Sequence, residues 1–497
     1  MKDIVPSHTG IVPFALLLII GFCVFGPGGR DDAHISYWAA QSLADTGEIL
    51  NINGQRVEQG SSLFHVLVLA LTHKLSGLPM AYTGLLVSLA AAFITLRQSY
   101  ILAGMLGIRN RTLYLYALCF SAPFTYWALS GLETLLVAAV LIYLCTAVSR
   151  SLRGGDRGAN IATVVASAIY LLARPEAPFV LAAFVIVLAC CLHQYRLLQP
   201  QRRTLATLCG FAVLFTCCLL LFRLQYFDAL FPQPVSAKSS GIQLSAIADG
   251  LASLLGLVYF PSILLMLGCA AFLLRQHLTG ARQQAITELP AIAMIVACLG
   301  FAVASGGDWM EGYRFLVPIL PLALIGAFLC LEQLGARSVQ AICILMLCMF
   351  AECILFAGRA STGIQIWASQ PKALLVNAEG PESDAYRSTI ASFPSPERYN
   401  AVHLRDIHTL PPLLSLVSSI RAHTDKPITI MSMQMGLIPY YLSLQEWQGI
   451  EIIDIIKRDT TTESALDARL EGDKEALDNV FAITQHRQNY LLPYTYV

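Results

Sequence analysis

A dozen segments of this chain, near 10–26, 62–76, 80–107, 112–129, 132–149, 158–173, 177–194, 204–224, 251–274, 288–304, 315–335 and 338–358, are apolar on every face. Spanning a bilayer takes about 20 such residues. A backbone exposed to lipid must satisfy its own hydrogen bonds, so segments of this kind are helices. Strands of alternating polarity, the mark of a membrane barrel, are not seen. With 56% hydrophobic and 13% charged residues over 497 positions, an ordinary soluble enzyme of several domains is excluded. The pattern predicts a mainly α, polytopic transmembrane bundle.

Charge carries no bulk signal, because Lys plus Arg and Asp plus Glu are 32 each, which speaks against a nucleic-acid partner. Its distribution does carry one. Arg150, Arg153 and Arg157 share one connection, Arg196, Arg202 and Arg203 another, Arg275 and Arg282 a third, and Arg337 lies in the last. Short basic loops stay cytoplasmic. The connections at 225–250 and 305–314, the tail from 360 onward and the acidic loop 27–61 are then expected outside. Twelve crossings would return the tail to the cytoplasm, so about eleven are expected. The segment interrupted at Ser121-Ala122-Pro123 is the one suspected of not crossing. The stretch 10–26 lacks a small-residue cleavage site before the next polar run and reads as an uncleaved anchor.

The expected division is a membrane domain over 1–358 and an extracytoplasmic domain over 359–497, where the composition turns polar. Within the tail, 428–433 reads as a strand, 436–444 as a turn and helix, and 450–456 as a second strand, a small α/β unit. All 14 cysteines fall between Cys23 and Cys353 in or beside apolar segments, and neither a disulfide framework nor metal-ligand spacing is suggested.

Asp31 and Asp32 open the first outer loop, with His34 close behind and Arg56 and Glu58 at the loop's end. Paired acids at a lipid–water boundary can act as a general base or bind a divalent cation, and equally can form a solvated helix cap. Lys238 and Arg314 lie in later outer loops, where a cation can hold a lipid phosphate or anchor a helix at the interface. Glu133, Arg174 and Glu176 sit at the edges of apolar segments, either as a site or as a self-neutralising group. Glu352, inside the last segment, is explained by snorkelling or a helix–helix hydrogen bond. Tyr440 could stack on a sugar or pack a core.

Short runs recur here in a particular order: Asp31-Asp32-Ala33-His34-Ile35-Ser36-Tyr37, Arg56-Val57-Glu58, Gly131-Leu132-Glu133-Thr134, Arg174-Pro175-Glu176 and Phe231-Pro232-Gln233-Pro234 before Ala237-Lys238. Gly306-Gly307-Asp308, Arg314-Phe315-Leu316-Val317-Pro318 and Gly436 with Pro439-Tyr440-Tyr441 complete it. The ordered set resembles the GT-C class of polyprenyl-phosphate-dependent glycosyltransferases, in particular the mycobacterial terminal arabinofuranosyltransferase family and its bacterial relatives. The loop after Glu58 departs from that family, reading Gln59-Gly60-Ser61-Ser62.

The resemblance implies transfer of a sugar, arabinofuranose by this likeness, from a polyprenyl phosphate to an envelope glycan or an exported protein such as a pilin. It places the active site on the periplasmic side of a bacterial cytoplasmic membrane. Asp31 and Asp32 carry over as catalytic, with Lys238, Arg314 and Arg174 on the donor phosphate. His34, Arg56, Glu58, Glu133, Glu176, Asp308 and Tyr440 line the site. No cofactor is implied beyond a possible divalent cation. Another lipid-linked sugar, of mannose or aminoarabinose type, and a noncatalytic transporter or assembly protein remain as alternatives.

Overall fold

The computed structural model describes residues 10–25, 31–154, 157–238, 244–279, 283–307, 312–357, 417–418, 422, 428–432, 436–444, 450–454 and 495–496. Among the described residues seven helical stretches are long and apolar enough to cross a membrane: Met80–Met105, Thr134–Leu152, Ala177–Gln194, Gln201–Phe227, Pro261–Leu278, Ile286–Ala304 and Val317–Leu355. Shorter apolar helices add Ile11–Phe25, Leu63–Ser76, Arg157–Ala173 and Ser245–Val258. The chain is a multi-pass membrane protein.

In chain order the helices are α1 (Ile11–Ile20), α2 (Asp31–Thr46), α3 (Leu63–Ser76), α4 (Met80–Met105), α5 (Arg111–Phe120), α6 (Ala122–Ala128), α7 (Thr134–Leu152) and α8 (Arg157–Ala173). They continue with α9 (Ala177–Gln194), α10 (Leu198–Phe227), α11 (Gln233–Lys238), α12 (Leu244–Leu255), α13 (Pro261–Leu278), α14 (Leu289–Ala304), α15 (Leu320–Leu331), α16 (Ser338–Ala357) and α17 (Leu437–Ser443). Strands β1 (Ile428–Ser432), β2 (Ile450–Asp454) and β3 (Thr495–Tyr496) form one small sheet.

Two expected segments are cut. The segment 112–129 divides into α5 and α6 at Ser121, whose backbone is extended. Pro123 occupies the first turn of α6, where a missing N–H is harmless, and neither piece is long enough to cross. The segment 251–274, expected as one span, breaks at Phe260: α12 ends in a 3-10 turn over Gly256–Tyr259, and α13 starts afresh at Pro261. Proline removes a helical donor and disfavours helical dihedrals in the residue before it.

The residues group into two compact units. The first comprises Met1–Gly28, Leu86–Leu219 and Ser240–Ala401. In it α7 packs on α8 and α14, α14 on α9 and α12, α13 on α15, and α5 on α1 and α16. Helix α9 buries Val180, Leu181, Phe184, Leu188 and Leu192 at helical spacing and leaves Phe179 and Ile186 on its outer face, as lipid contact demands. Glu352 of α16 accepts from Ser262 N at 2.8 Å and from the Ser262 hydroxyl, capping the start of α13, which is the helix–helix hydrogen bond expected of it.

The second unit comprises Gly29–Leu85, Leu220–Ser239 and Val402–Val497. Helix α2 packs on α3 and on α17. Strand β1 runs parallel to β2, Ile430 opposite Ile452, and antiparallel to β3. With α17 between β1 and β2 in sequence, this is the strand–helix–strand unit read from the tail. The boundary expected at 358/359 lies outside the described residues.

Gly250 of α12 lies so near α14 that a Cβ would collide with the Val303 carbonyl, whereas a Cβ at Gly268 of α13 would meet nothing within 4 Å. Gly250→Ala is expected to destabilise the solubilised protein by about 1–3 kcal/mol and Gly268→Ala to leave stability unchanged, as read from thermal unfolding in detergent.

Candidate functional site

In the second unit the acidic doublet forms the first turn of α2, and a helix N-terminus is a favourable place for negative charge. Asp32 is half-buried. The side chain of Asp31 lies outside the described residues. Behind the doublet the helix is held firmly. Gln59 Nε2 donates to the Ile35 carbonyl at 3.2 Å, and Ser42 Oγ to the Glu48 carbonyl at 2.9 Å.

His34 and Tyr37, one helical turn apart, are buried with Tyr440 of α17 in an aromatic cluster. The His34 ring stands 5.0 Å from Tyr37, 5.5 Å from Tyr440 and 5.9 Å from Tyr441. The Tyr440 hydroxyl donates to Gln41 Oε1 at 3.1 Å. Burial, then the neighbouring Tyr441 and Asp45, push the Tyr440 phenol above its ordinary range, so it stays a neutral hydrogen-bond donor at physiological pH.

The loop's far end is tied down twice. Asn53 behaves as a piece of strand: its Nδ2 donates to the Ile452 carbonyl at 2.8 Å, and Ile452 N donates to its Oδ1 at 3.1 Å. Gly54, at φ +76°, makes the turn that presents it. Glu58 is buried and takes two bonds from Arg223 of α10, Nε to Oε2 at 2.7 Å and Nη2 to Oε1 at 3.0 Å. Burial pushes the Glu58 carboxyl upward, against the pull of those two bonds. Arg56 pairs with Glu48 on the surface and covers the Tyr226 ring at 5.2 Å. Lys238 ends α11, and its side chain lies outside the described residues.

In the first unit Arg174 lies between two carboxylates, with Nη1 2.6 Å from Glu133 Oε1 and Nε 2.6 Å from Glu176 Oε1. Glu133 immediately precedes α7 and Glu176 immediately precedes α9, so one guanidinium ties two helix starts together. Burial alone would lower the Arg174 pKa, but Glu176 and Glu133 outweigh it and hold the pKa above its ordinary value. Two of the five N–H donors are therefore committed to carboxylates.

Arg174 and Glu176 border a small cleft whose walls include Thr134, Tyr170, Phe301, Phe315 and Arg314. Gly312 at φ +71° and Tyr313 at φ +52° turn the chain there, and Trp127 Nε1 holds the Gly312 carbonyl at 3.1 Å. A left-handed tyrosine is uncommon. The turn sets Arg314 5.3 Å and Arg174 5.6 Å from the Phe315 ring centre.

Of the residues expected at a site, Glu133, Arg174, Glu176 and Arg314 come together in the first unit. His34 and Tyr440 share a cluster in the second, where Glu58 is an ion-pair partner and Arg56 a surface residue. Asp308 lies outside the described residues. Arg223 and Thr134 were missed as functional candidates. Arg223 had a signal, being the one charge within the apolar segment 204–224. Among the described residues no group of three His, Cys, Asp or Glu side chains is placed to hold a metal ion.

No protein-family model matches the chain, and no curated protein does. Solved structures do. ArnT from Cupriavidus metallidurans bound to undecaprenyl phosphate superposes with a TM-score of 0.50 at 17% identity, over 78% of this chain and 69% of that one. Its apo state gives 0.48 at 17% identity over the same shares. The archaeal oligosaccharyltransferase AglB from Archaeoglobus fulgidus, in complex with an inhibitory peptide and a dolichol-phosphate, gives 0.43 at 10% identity over 78% of this chain and 61% of that one. At these identities the likeness is one of fold, and the fold is the GT-C membrane fold.

Removing one partner of a buried ion pair strands the other. Arg223→Leu is expected to cost about 3–5 kcal/mol by leaving Glu58 unpaired, and Glu58→Leu added to it should recover much of that loss. A thermal-unfolding comparison of single and double variants measures both.

Proposed function

We propose that the chain is a membrane glycosyltransferase taking a sugar from a polyprenyl-phosphate carrier. The likeness to ArnT, a structure bound to undecaprenyl phosphate, supports such a carrier. The motif order supports arabinofuranose as the sugar, and an envelope glycan or an exported protein such as a pilin as acceptor. The reaction runs on the outer face of a bacterial cytoplasmic membrane, the side to which the basic loops assign the first loop and the tail.

One observation carries the reading: the acidic doublet is the first turn of a helix whose remaining length is anchored by Gln59, Glu48 and Tyr440. A base is effective only when held in position. Asp31 or Asp32 takes the proton from the acceptor hydroxyl as its oxygen bonds the anomeric carbon. The bond from that carbon to the phosphate oxygen breaks, and the polyprenyl phosphate leaves with the electron pair. Arg314 and Lys238 offset the charge that develops on the phosphate. Arg174, committed to its two carboxylates, shapes the cleft.

The Asp31→Asn, Asp32→Asn double variant is expected to lose about 10²–10⁴-fold in transfer rate with membrane insertion and thermal stability unchanged. Transfer at the parental rate by a normally inserted double variant removes the reading. Arg314→Gln should lower kcat by about 10²-fold, measured with radiolabelled polyprenyl-phospho-arabinose and a crude envelope fraction.

A further inference from the structure

Helix α3 is apolar on every side, yet both of its ends sit at one level of the fold. Tyr37 of α2, which precedes it, packs so closely on Gly84 of α4, which follows it, that a Cβ at Gly84 would collide with the phenol. The turn from α3 into α4 is short, residues 77–79, and is closed by Gly77 at φ +67° with its N–H on the His73 carbonyl at 2.8 Å. A crossing by these 14 residues would carry the chain ~21 Å from α2 before α4 began.

Helix α4 is long enough to span, and its partners give its direction. Ser88 Oγ donates to the Leu132 carbonyl at 3.4 Å, Thr95 Oγ1 to the Leu135 carbonyl at 3.2 Å, and the Arg153 guanidinium to the Met105 carbonyl. Partners that advance together along both segments mean that α4 and α7 run parallel. Two parallel spans in succession require one return crossing between them, and α5 and α6 are the helices that lie there. Neither crosses alone, but in series residues 111–128 reach ~27 Å, close to the ~30 Å of a hydrocarbon core. The return starts among the basic connections, where Glu332, in the segment that carries Arg337, accepts from Arg109 N at 3.0 Å and from Asn110 N at 2.9 Å.

The two sides of α3 meet different surroundings. Leu63, Val66, Leu69 and Ala70 are buried, and the helix packs on α2. Leu67, Leu71, Leu75 and Leu78 form a second stripe, 41, 61, 79 and 39% exposed, which Tyr82 and Leu86 of the spanning helix α4 continue at helical spacing. The exposed side of a span faces lipid, so a stripe continuous with it is fitted to the boundary between headgroups and acyl chains. Lys74, exposed beside the stripe, can lay its stem on that surface and keep its charge among the headgroups. We infer that α3 does not cross the membrane but lies along its surface, on the face opposite the basic connections. Leu67, Leu71, Leu75 and Leu78 are seated in that leaflet, and the broken pair α5–α6 makes the crossing in its place. A helix with protein on one side and lipid on the other reads as apolar all round, which is why hydropathy joins α3 to the spans and points to the segment broken at Ser121 instead.

The test uses the full chain in spheroplasts and a membrane-impermeant maleimide, with the modified peptide identified by mass spectrometry so that native cysteines are read separately. Arg56→Cys reports the segment before α3, Ser76→Cys its end, and Thr112→Cys the first turn of α5. Arg56→Cys and Ser76→Cys are expected to react equally before and after permeabilisation, and Thr112→Cys only after it. Reaction of Arg56→Cys and Ser76→Cys from opposite faces means that α3 crosses and overturns the inference. Reaction of all three from one face overturns it as well, by removing the α4 crossing. Seating in lipid is read on the parent chain in vesicles of phosphatidylglycerol that carries a diazirine either beside the glycerol or at the acyl terminus. Residues 67–78 should be labelled by the glycerol-proximal probe and spared by the terminal one, whereas the lipid-exposed span α10 should take up both. Labelling of residues 67–78 by the terminal probe, or by neither probe, overturns the seating of α3 at the surface.

Discussion

A charge inside a bundle surrounded by lipid survives as a charge only when its opposite is buried beside it, because desolvation costs more than either ion recovers alone. The arrangement around Arg174 obeys this condition in the first unit, and the pairing of Arg223 with Glu58 obeys it in the second. Each tie does more than neutralise. Arg174 joins the starts of α7 and α9, so the cleft that opens between them inherits its shape from an ion pair. Arg223 holds the end of the loop between α2 and α3 against α10, so the loop cannot slide relative to that helix.

The connection from α1 to α3 is correspondingly unlike a free loop. Its helix α2 shares an aromatic core with α17, and Asn53 adds itself to the β2 backbone as a strand would. The tail's small sheet and the acidic helix therefore belong to one compact unit. A general base placed on such a helix is fixed from behind by packing and by amide hydrogen bonds, the kind of support that positioned catalysis requires.

The cleft brings Arg174, Glu176 and Arg314 together with the rings of Tyr170, Phe301 and Phe315.

The all-round apolar segments determined by themselves that the chain is a helical membrane protein, because lipid admits few other backbones. Breaks at Ser121 and in the tail's strand–helix–strand unit were equally legible, being set by proline and by short-range periodicity. The Phe260–Pro261 break carried the same local signal inside a run that hydropathy alone joined. What the sequence could not decide was pairing across distance. That Glu58 meets Arg223 and that Glu133 and Glu176 share Arg174 depend on which helix faces pack together. Side-chain periodicity tells which residues share a face, but only the tertiary structure tells what that face meets, since burial and partner are properties of the neighbour and not of the residue.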